Sequence, residues 1–202
     1  MAYKILAING SYRRGGAIDQ AVEAACAAAR AAGAETTSVI LAERYIEFCL
    51  NCRACMQAPG EKRGDCVHND GMGALLDQAD AADALILAAP VNFFNVTAVT
   101  RRFMERLGPC ACWPWGAKAP ALRRRPHKKA VIITSSAMPS LLGRLATGAI
   151  RALKLAAESL GAKPAGTLFI GLSSMEKKPR LAERDVRLAA KLGLRLAKGA
   201  RR

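Results

Sequence analysis

The sequence predicts an α/β protein: one three-layer, doubly wound domain over residues 1–202, with a five-stranded parallel sheet between layers of helix. Three observations carry this. Five short runs rich in Ile, Val and Leu lack strict apolar–polar alternation, as strands buried on both faces do. Five longer stretches of helical periodicity lie between or after them, and alternating strands and helices build parallel sheets. Glycines stand where two of the helices should stop.

The first strand is expected over residues 3–8 and the first helix over 19–32, ended by Gly33. A second strand at 36–41 precedes a helix at 71–79, for which Asp70 is the expected N-cap because its carboxylate accepts from open backbone N–H groups. The third strand at 84–88 leads to a helix at 97–107, and the fourth at 130–134 to a helix at 141–160 ended by Gly161. A fifth strand at 167–172 and a last helix at 181–198 complete the pattern. Two insertions are long for ordinary connections, at about 43–69 and 108–127, and loops of that length are often functional.

Composition narrows the class. The 202 residues include 51% hydrophobic side chains, enough for a core without disulfide staples. The first strand starts too early to leave room for a signal peptide, and the longest apolar stretch, near residues 81–91, is too short to span a bilayer, so a soluble cytoplasmic protein with no membrane partner is expected. Seven cysteines, an odd count, point to reduced thiols, a metal or cluster site, or burial. Two histidines argue against a multi-histidine metal site. The P-loop, G-x-G-x-x-G, H-E-x-x-H and G-x-S-x-G motifs are all missing, which disfavours nucleotide triphosphatases, standard dinucleotide folds, zincins and common serine hydrolases.

The net charge of +15 is lopsided: residues 1–100 hold 8 basic and 11 acidic side chains, and residues 101–202 hold 23 and 5. On the last helix Arg184, Arg187, Lys191, Arg195 and Lys198 recur opposite Val186, Leu188, Ala189, Leu192 and Leu196. That is the pattern of an amphipathic surface helix, so a solvated face is expected here and at Arg123, Arg124, Arg125, Lys128 and Lys129, and not a nucleic-acid site. Its chemical use would be attraction of an anionic small molecule or of an acidic partner protein.

Open parallel sheets bind ligands outside the carboxyl ends of their strands, where the winding reverses. The loop after the first strand, residues 9–19, carries glycines, Ser11 and Arg13 into a helix N-terminus, a constellation that would hold a phosphate. The loop after the third strand offers Pro90, Val91, Asn92, Phe93, Phe94 and Asn95, a mixture of flat apolar rings and amides suited to a planar heteroaromatic ligand. Ser135, Ser136 and Ala137, after the fourth strand, would lie along the same ligand.

Five segments then occur in order: Gly10-Ser11-x-Arg13; Cys49-x-x-Cys52-x-x-Cys55; Cys66 followed by Asp70-Gly71-Met72; Pro90-Val91-Asn92-Phe93-Phe94; and Arg101-Arg102-Phe103-Met104-Glu105-Arg106. With them the chain resembles the flavodoxin-fold NAD(P)H-dependent FMN reductases from residue 3 to about 172. The resemblance implies strand order 2-1-3-4-5 with FMN at the switch point. It places Ser11, Arg13, Gly16, Ala17, Ile18 and Asp19 in the phosphate loop, residues 90–95 beside the isoalloxazine, and Ser135, Ser136 and Ala137 in the third flavin-facing loop. Gly16-Ala17-Ile18 stands where family members commonly carry a threonine, so one hydroxyl donor is missing and Asp19 adds negative charge. Weaker FMN binding is expected unless Arg13 or Arg14 compensates.

The implied activity is NAD(P)H-dependent reduction of FMN followed by reduction of a small-molecule acceptor such as a quinone, flavin, nitro or azo compound. It requires no catalytic side chain. A homodimer or homotetramer is expected from the same resemblance.

The cysteine loop keeps several readings open. Cys49, Cys52, Cys55 and Cys66 could ligate a [4Fe–4S] cluster or zinc, or form a redox pair, or act as small buried hydrophobes. The resemblance favours the last, with no metal. Two rival functions follow: an iron–sulfur flavoprotein electron carrier, and a basic binding protein that has lost its flavin. Trp113 and Trp115 would cap a flavin or nicotinamide, or be buried or lie at a dimer contact.

Overall fold

The first apolar run forms β1 (Lys4–Asn9), buried at every position but its first. It is followed by α1 (Ala17–Ala31) and β2 (Glu35–Ile40). In the computed structural model, which describes residues 2–176 and 179–201, the chain continues through α2 (Gly71–Ala81), β3 (Ala84–Asn92), β4 (Asn95–Val96), α3 (Ala98–Glu105), β5 (Ala111–Cys112) and β6 (Ala121–Leu122). It closes with β7 (Lys128–Ser135), α4 (Ser140–Ala146), α5 (Ala149–Ser159), β8 (Ala162–Ile170) and α6 (Glu183–Leu196). The five long strands run parallel in the order β2-β1-β3-β7-β8, the expected 2-1-3-4-5 winding, and β4 folds back antiparallel on β3.

Successive side chains of the central strands feed two cores, as the two-residue repeat of a strand requires. Leu6, Ile8, Leu85, Leu87 and Ile132 face α2, α3 and α5, whereas Ile5, Ala7, Ile86, Val131 and Ile133 face α1 and α6. No helix among the described residues is long and apolar enough to cross a membrane.

Several boundaries follow the sequence signals. Gly33, at φ +92°, lets the N–H of Ala34 reach the carbonyl of Ala29 and close α1; Gly161 has φ +72° after α5. Asp70 accepts from the N–H of Met72 at the start of α2.

Three expectations need correction. The helix expected over 141–160 is two helices, because Thr147 is extended and the N–H of Gly148 donates to the Phe94 carbonyl of the β3–β4 turn. The strand expected at 167–172 starts at Ala162 and ends at Ile170. Pro164 and Gly166 disguise its first half, and its register shifts opposite Ala130 and Val131. α6 buries mainly its small residues Ala189 and Gly193, with Leu196, against α1, leaving Val186 and Leu188 exposed where an apolar inner face was expected.

The two insertions pack on each other. The N–H of Trp113 donates to Met56 and that of Gly64 to Pro109, while Arg53 lies 3.8 Å and 4.2 Å from the ring centres of Trp113 and Trp115. Arg123 donates to the carbonyls of Cys55, Ala58, Gly60, Pro109 and Ala111. Lys128 is buried and donates to the carbonyls of Ala79, Asp80 and Ala82 at the end of α2, and Arg124 pairs with Asp80. Arg123, Arg124 and Lys128 are therefore structural, and only Arg125 and Lys129 of this basic stretch are exposed as expected.

Candidate functional site

Parallel strands deliver their following loops to one sheet edge, and those after β1, β3, β7 and β8 surround a cavity of about 360 Å³. The first loop is held by backbone-directed side chains. Asn9 accepts from the N–H of Ser11 at 2.8 Å and donates to Asp19, whose other oxygen takes the N–H of Gly15. Asp19 thus braces the loop and lies outside the cavity lining. The hydroxyl of Thr97, at the start of α3, donates to the Gly10 carbonyl at 2.7 Å. A Cβ on Gly10 would collide with the Thr100 hydroxyl, so this close approach of loop and helix needs glycine.

α1 begins at Ala17, two residues earlier than its periodicity suggests, and Gly16 supplies no side-chain cap. The first-turn N–H groups and the positive end of the helix dipole therefore remain available at the cavity, where Gly16, Ala17 and Ile18 are lining residues. Arg13 also lines the cavity and is its one charged lining residue among those described. Arg14 turns away to pair with Glu43. Ser11 accepts from the N–H of Arg13 at 3.1 Å, which fixes its oxygen at the cavity wall.

The second wall is Pro90, Val91 and Asn92. Asn92 then pairs with Asn95 across a two-residue turn whose central residues, Phe93 and Phe94, have φ of 48° and 62°. Asn or Gly would normally occupy such positions, because a left-handed conformation costs other residues about 1–2 kcal/mol each. Phe93 is fully exposed, Phe94 is largely so, and neither lines the cavity, nor does Asn95. The structure brings residues 90–92 of this segment to the cavity and carries 93–95 past it.

Ser135 and Ala137 form the third wall, while Ser136 is buried and donates to the Met138 carbonyl at 3.0 Å. Ser173 and Ser174 join them, because β8 ends at Ile170 and Leu172, at φ 53°, turns the chain back so that Ser173 bonds to the Ser136 carbonyl. The apolar run over 167–172 outlasts the strand and so conceals these two hydroxyls; their adjacency after it is the sequence signal that marks them. Tyr12 and Pro179 complete the lining. The donor set fits FMN: one cation and open helix N–H groups for a phosphate, hydroxyls beside them, and an apolar strand end with an amide for a planar ring.

The cysteine loop is anchored by a buried ion pair. Arg106 and Asp70 are almost fully buried and meet at 2.6 Å; Arg106 also donates to the Glu47 carbonyl at 2.8 Å and lies 3.5 Å from the Cys66 sulfur. Burial alone pushes the Asp70 carboxyl up, but the hydrogen bonds from Arg106, Glu47 and Met72, with the Arg106 charge, outweigh it and hold the group at about 2. Cys49 and Cys52 are exposed, Cys55 and Cys66 half-buried. Burial raises Cys55, and the neighbouring Cys66, Cys49 and Cys52 raise it further. The four thiols are chemically suited to a cluster, yet among the described residues no three metal-ligating side chains are gathered closely enough to hold an ion. Cys26 and Cys110, pushed up to about 11 chiefly by burial, are inert core thiols.

The chain belongs to the NADPH-dependent FMN reductase family, which matches residues 3–162. It is therefore a flavodoxin-like member of a flavoprotein oxidoreductase family whose cofactor is FMN and whose reductant is NADPH. Among curated relatives, an iron-sulfur flavoprotein of Archaeoglobus fulgidus is 33% identical over 106 residues, 52% of this chain and 46% of that protein. One from Methanosarcina thermophila is 32% identical over 103 residues, 51% of each chain. The matches span about half the length of these relatives. Among solved structures, an NAD(P)H:quinone oxidoreductase from Methanothermobacter marburgensis superposes with a TM-score of 0.70 at 15% identity, covering 96% of this chain and 98% of that one. An FMN-dependent NADH-azoreductase from Bacillus anthracis, in complex with FMN, gives 0.70 at 10% identity, covering 96% and 99%. At these identities the likeness establishes the shared fold.

Proposed function

We propose that the chain is an FMN-dependent NAD(P)H oxidoreductase that reduces a quinone, flavin, nitro or azo compound. The observation that carries this is the uncapped start of α1, which opens with Arg13 onto a cavity facing the β3 strand end. Arg13, Ser11 and the N–H groups of Ala17 and Ile18 hold the phosphate. Pro90, Val91 and Asn92 cover and hydrogen-bond the ring, and Ser135 and Ala137, with Ser173 and Ser174, lie along the connecting chain. Bound FMN supplies the hydride chemistry, so the protein's tasks are to orient the ring, exclude water from one face and leave the other open to nicotinamide and acceptor. Reduced thiols throughout suit a cytoplasmic protein. Exposed Phe93, Phe94, Leu141, Leu142 and Leu145, on elements that follow cavity-lining segments, support assembly into at least a dimer.

An absorption spectrum before and after NADPH under nitrogen tests the reading. Flavin bands that bleach support it; a colourless protein that takes up no added FMN overturns it. A second reading, an iron–sulfur electron carrier, is favoured by the curated relatives and by four thiols in one anchored loop. Iron and acid-labile sulfide, measured after anaerobic purification, decide it, and their lack rejects the cluster while leaving the flavin reading intact.

A further inference from the structure

A second cavity shares no lining residue with the candidate flavin site. It is a groove of about 560 Å³ beside the outer strand β8, roofed by α6 and ended by α4. Its origin is local. Gly193 lets α6 approach α1 so closely that a Cβ there would collide with the Ala25 carbonyl. Seating Ala189, Gly193 and Leu196 of α6 on α1 leaves Leu188 and Leu194 at 38% and 43% exposure, and these line the groove with buried Leu168 and partly buried Leu192. Four cations, Arg144, Lys191, Arg195 and Lys198, share the lining, and no carboxylate does. None of the four forms an ion pair among the described residues, although Arg187 on the same helix does with Glu183.

A solvated basic face explains charges but not leucines held open beside them, since exposed apolar surface costs about 25 cal/mol per Å². We propose that this groove docks an acidic amphipathic helix of a partner protein, with apolar side chains on the leucine floor and carboxylates on the four cations. Residues 188–196 run for about 12 Å along α6, and Lys198 follows just past its end, together the reach of a short helix. The groove is concave, walled by β8 and α4, which suits an inserted segment better than a flat lipid surface. A second copy docking through the same groove would bring like charges together. Two elements connect the groove to the candidate flavin site: α4 starts just after the Ser135 and Ala137 wall, and Thr167 lies about 10 Å along β8 from Ile170, the residue in register with Ser135. Docking itself does not depend on bound flavin.

The test titrates the full chain, by fluorescence anisotropy, with a labelled synthetic helix carrying leucines at i, i+3, i+4 and i+7 and glutamates on the flanking positions. Binding should weaken about tenfold in Lys191→Glu/Arg195→Glu, and between about 50 and 300 mM salt. It should weaken comparably in Leu188→Ser/Leu194→Ser, whose altered side chains are already half-exposed; thermal melts check that both variants fold. Equal binding of a scrambled peptide of the same composition overturns the proposal, because charge alone then suffices. So does unchanged binding by both variants. Failure of the helix to bind also overturns it, whether the groove instead takes anionic phospholipid vesicles or mediates self-association that Leu188→Ser/Leu194→Ser abolishes.

Discussion

Neighbouring arginines in the first loop should differ sharply in what they contribute to flavin binding. Arg13 lines the cavity beside the uncapped start of α1, whereas Arg14 is turned outward onto Glu43. A charge-assisted hydrogen bond from Arg13 to a phosphate contributes about 1.5–3 kcal/mol, so Arg13→Met should raise the FMN dissociation constant about 10- to 150-fold. Arg14→Met removes only an exposed surface pair and should change it less than about threefold. Quenching of flavin fluorescence on titrating flavin-free protein measures both. The Arg13 variant should also lose part of the salt sensitivity of binding, since one screened charge contact is gone. Equal effects of the two substitutions, or an unaffected Arg13→Met, would refute the assignment of the phosphate to this end of the cavity.

Three further outcomes follow from the packing. Asp70→Asn leaves the Arg106 guanidinium buried without its counter-charge, at a cost of about 3–5 kcal/mol, and should lower Tm by about 6–20 °C in a thermal melt. Because the folded protein holds Asp70 at about 2 against an ordinary 3.8, its stabilisation is complete above about pH 4 and is lost as pH falls through 2. Denaturation at stepped pH should show that loss in the wild type, and the Asn variant should lack it. Phe93→Asn/Phe94→Gly relieves two left-handed phenylalanines and should stabilise the monomer by about 2 kcal/mol. In analytical ultracentrifugation the same variant should self-associate less, if the rings serve an interface as proposed.

The middle of the sheet was legible because β1, β3 and β7 are buried on both faces, whereas the edge strand β2, expected to be buried likewise, buries only Val39. Ile5, Ile8, Leu85, Leu87, Ile132 and Ile133 could be read as continuous apolar runs without knowing their neighbours. Gly33, Gly161 and Asp70 announced helix ends through chemistry that acts within a few residues. What could not be read depends on distant partners. Helix α4 stops because Gly148 bonds to Phe94, and Gly10 is needed because Thr100 stands against it. The same holds at the site: Ser11, Arg13, Pro90, Asn92 and Ser135 reach the cavity, but Phe93, Phe94 and Asn95 follow a turn whose geometry runs against residue preference. Ser173 and Ser174 were hidden by an apolar run that ends two residues before it seems to.

The basic excess of the second half is now divided by function, and the division bears on the cysteine loop. Arg106 joins residue 47 to residue 70 and so closes the base of the loop that carries all four candidate ligands, while Arg123 gathers the carbonyls of Cys55, Ala58 and Gly60 from the other insertion. Two guanidiniums, each spent on oxygens rather than solvent, thus fix the loop's ends and its middle independently of any metal. Cys49 and Cys52 of this loop are exposed. A cluster, if iron analysis finds one, would be held by Cys49 and Cys52 together with Cys55 and Cys66, which are half-buried against Gly108 and Arg106. In that case Arg106→Lys, which keeps a charge but loses the forked contact to Asp70 and Cys66, should yield protein with substoichiometric iron while flavin uptake is unchanged.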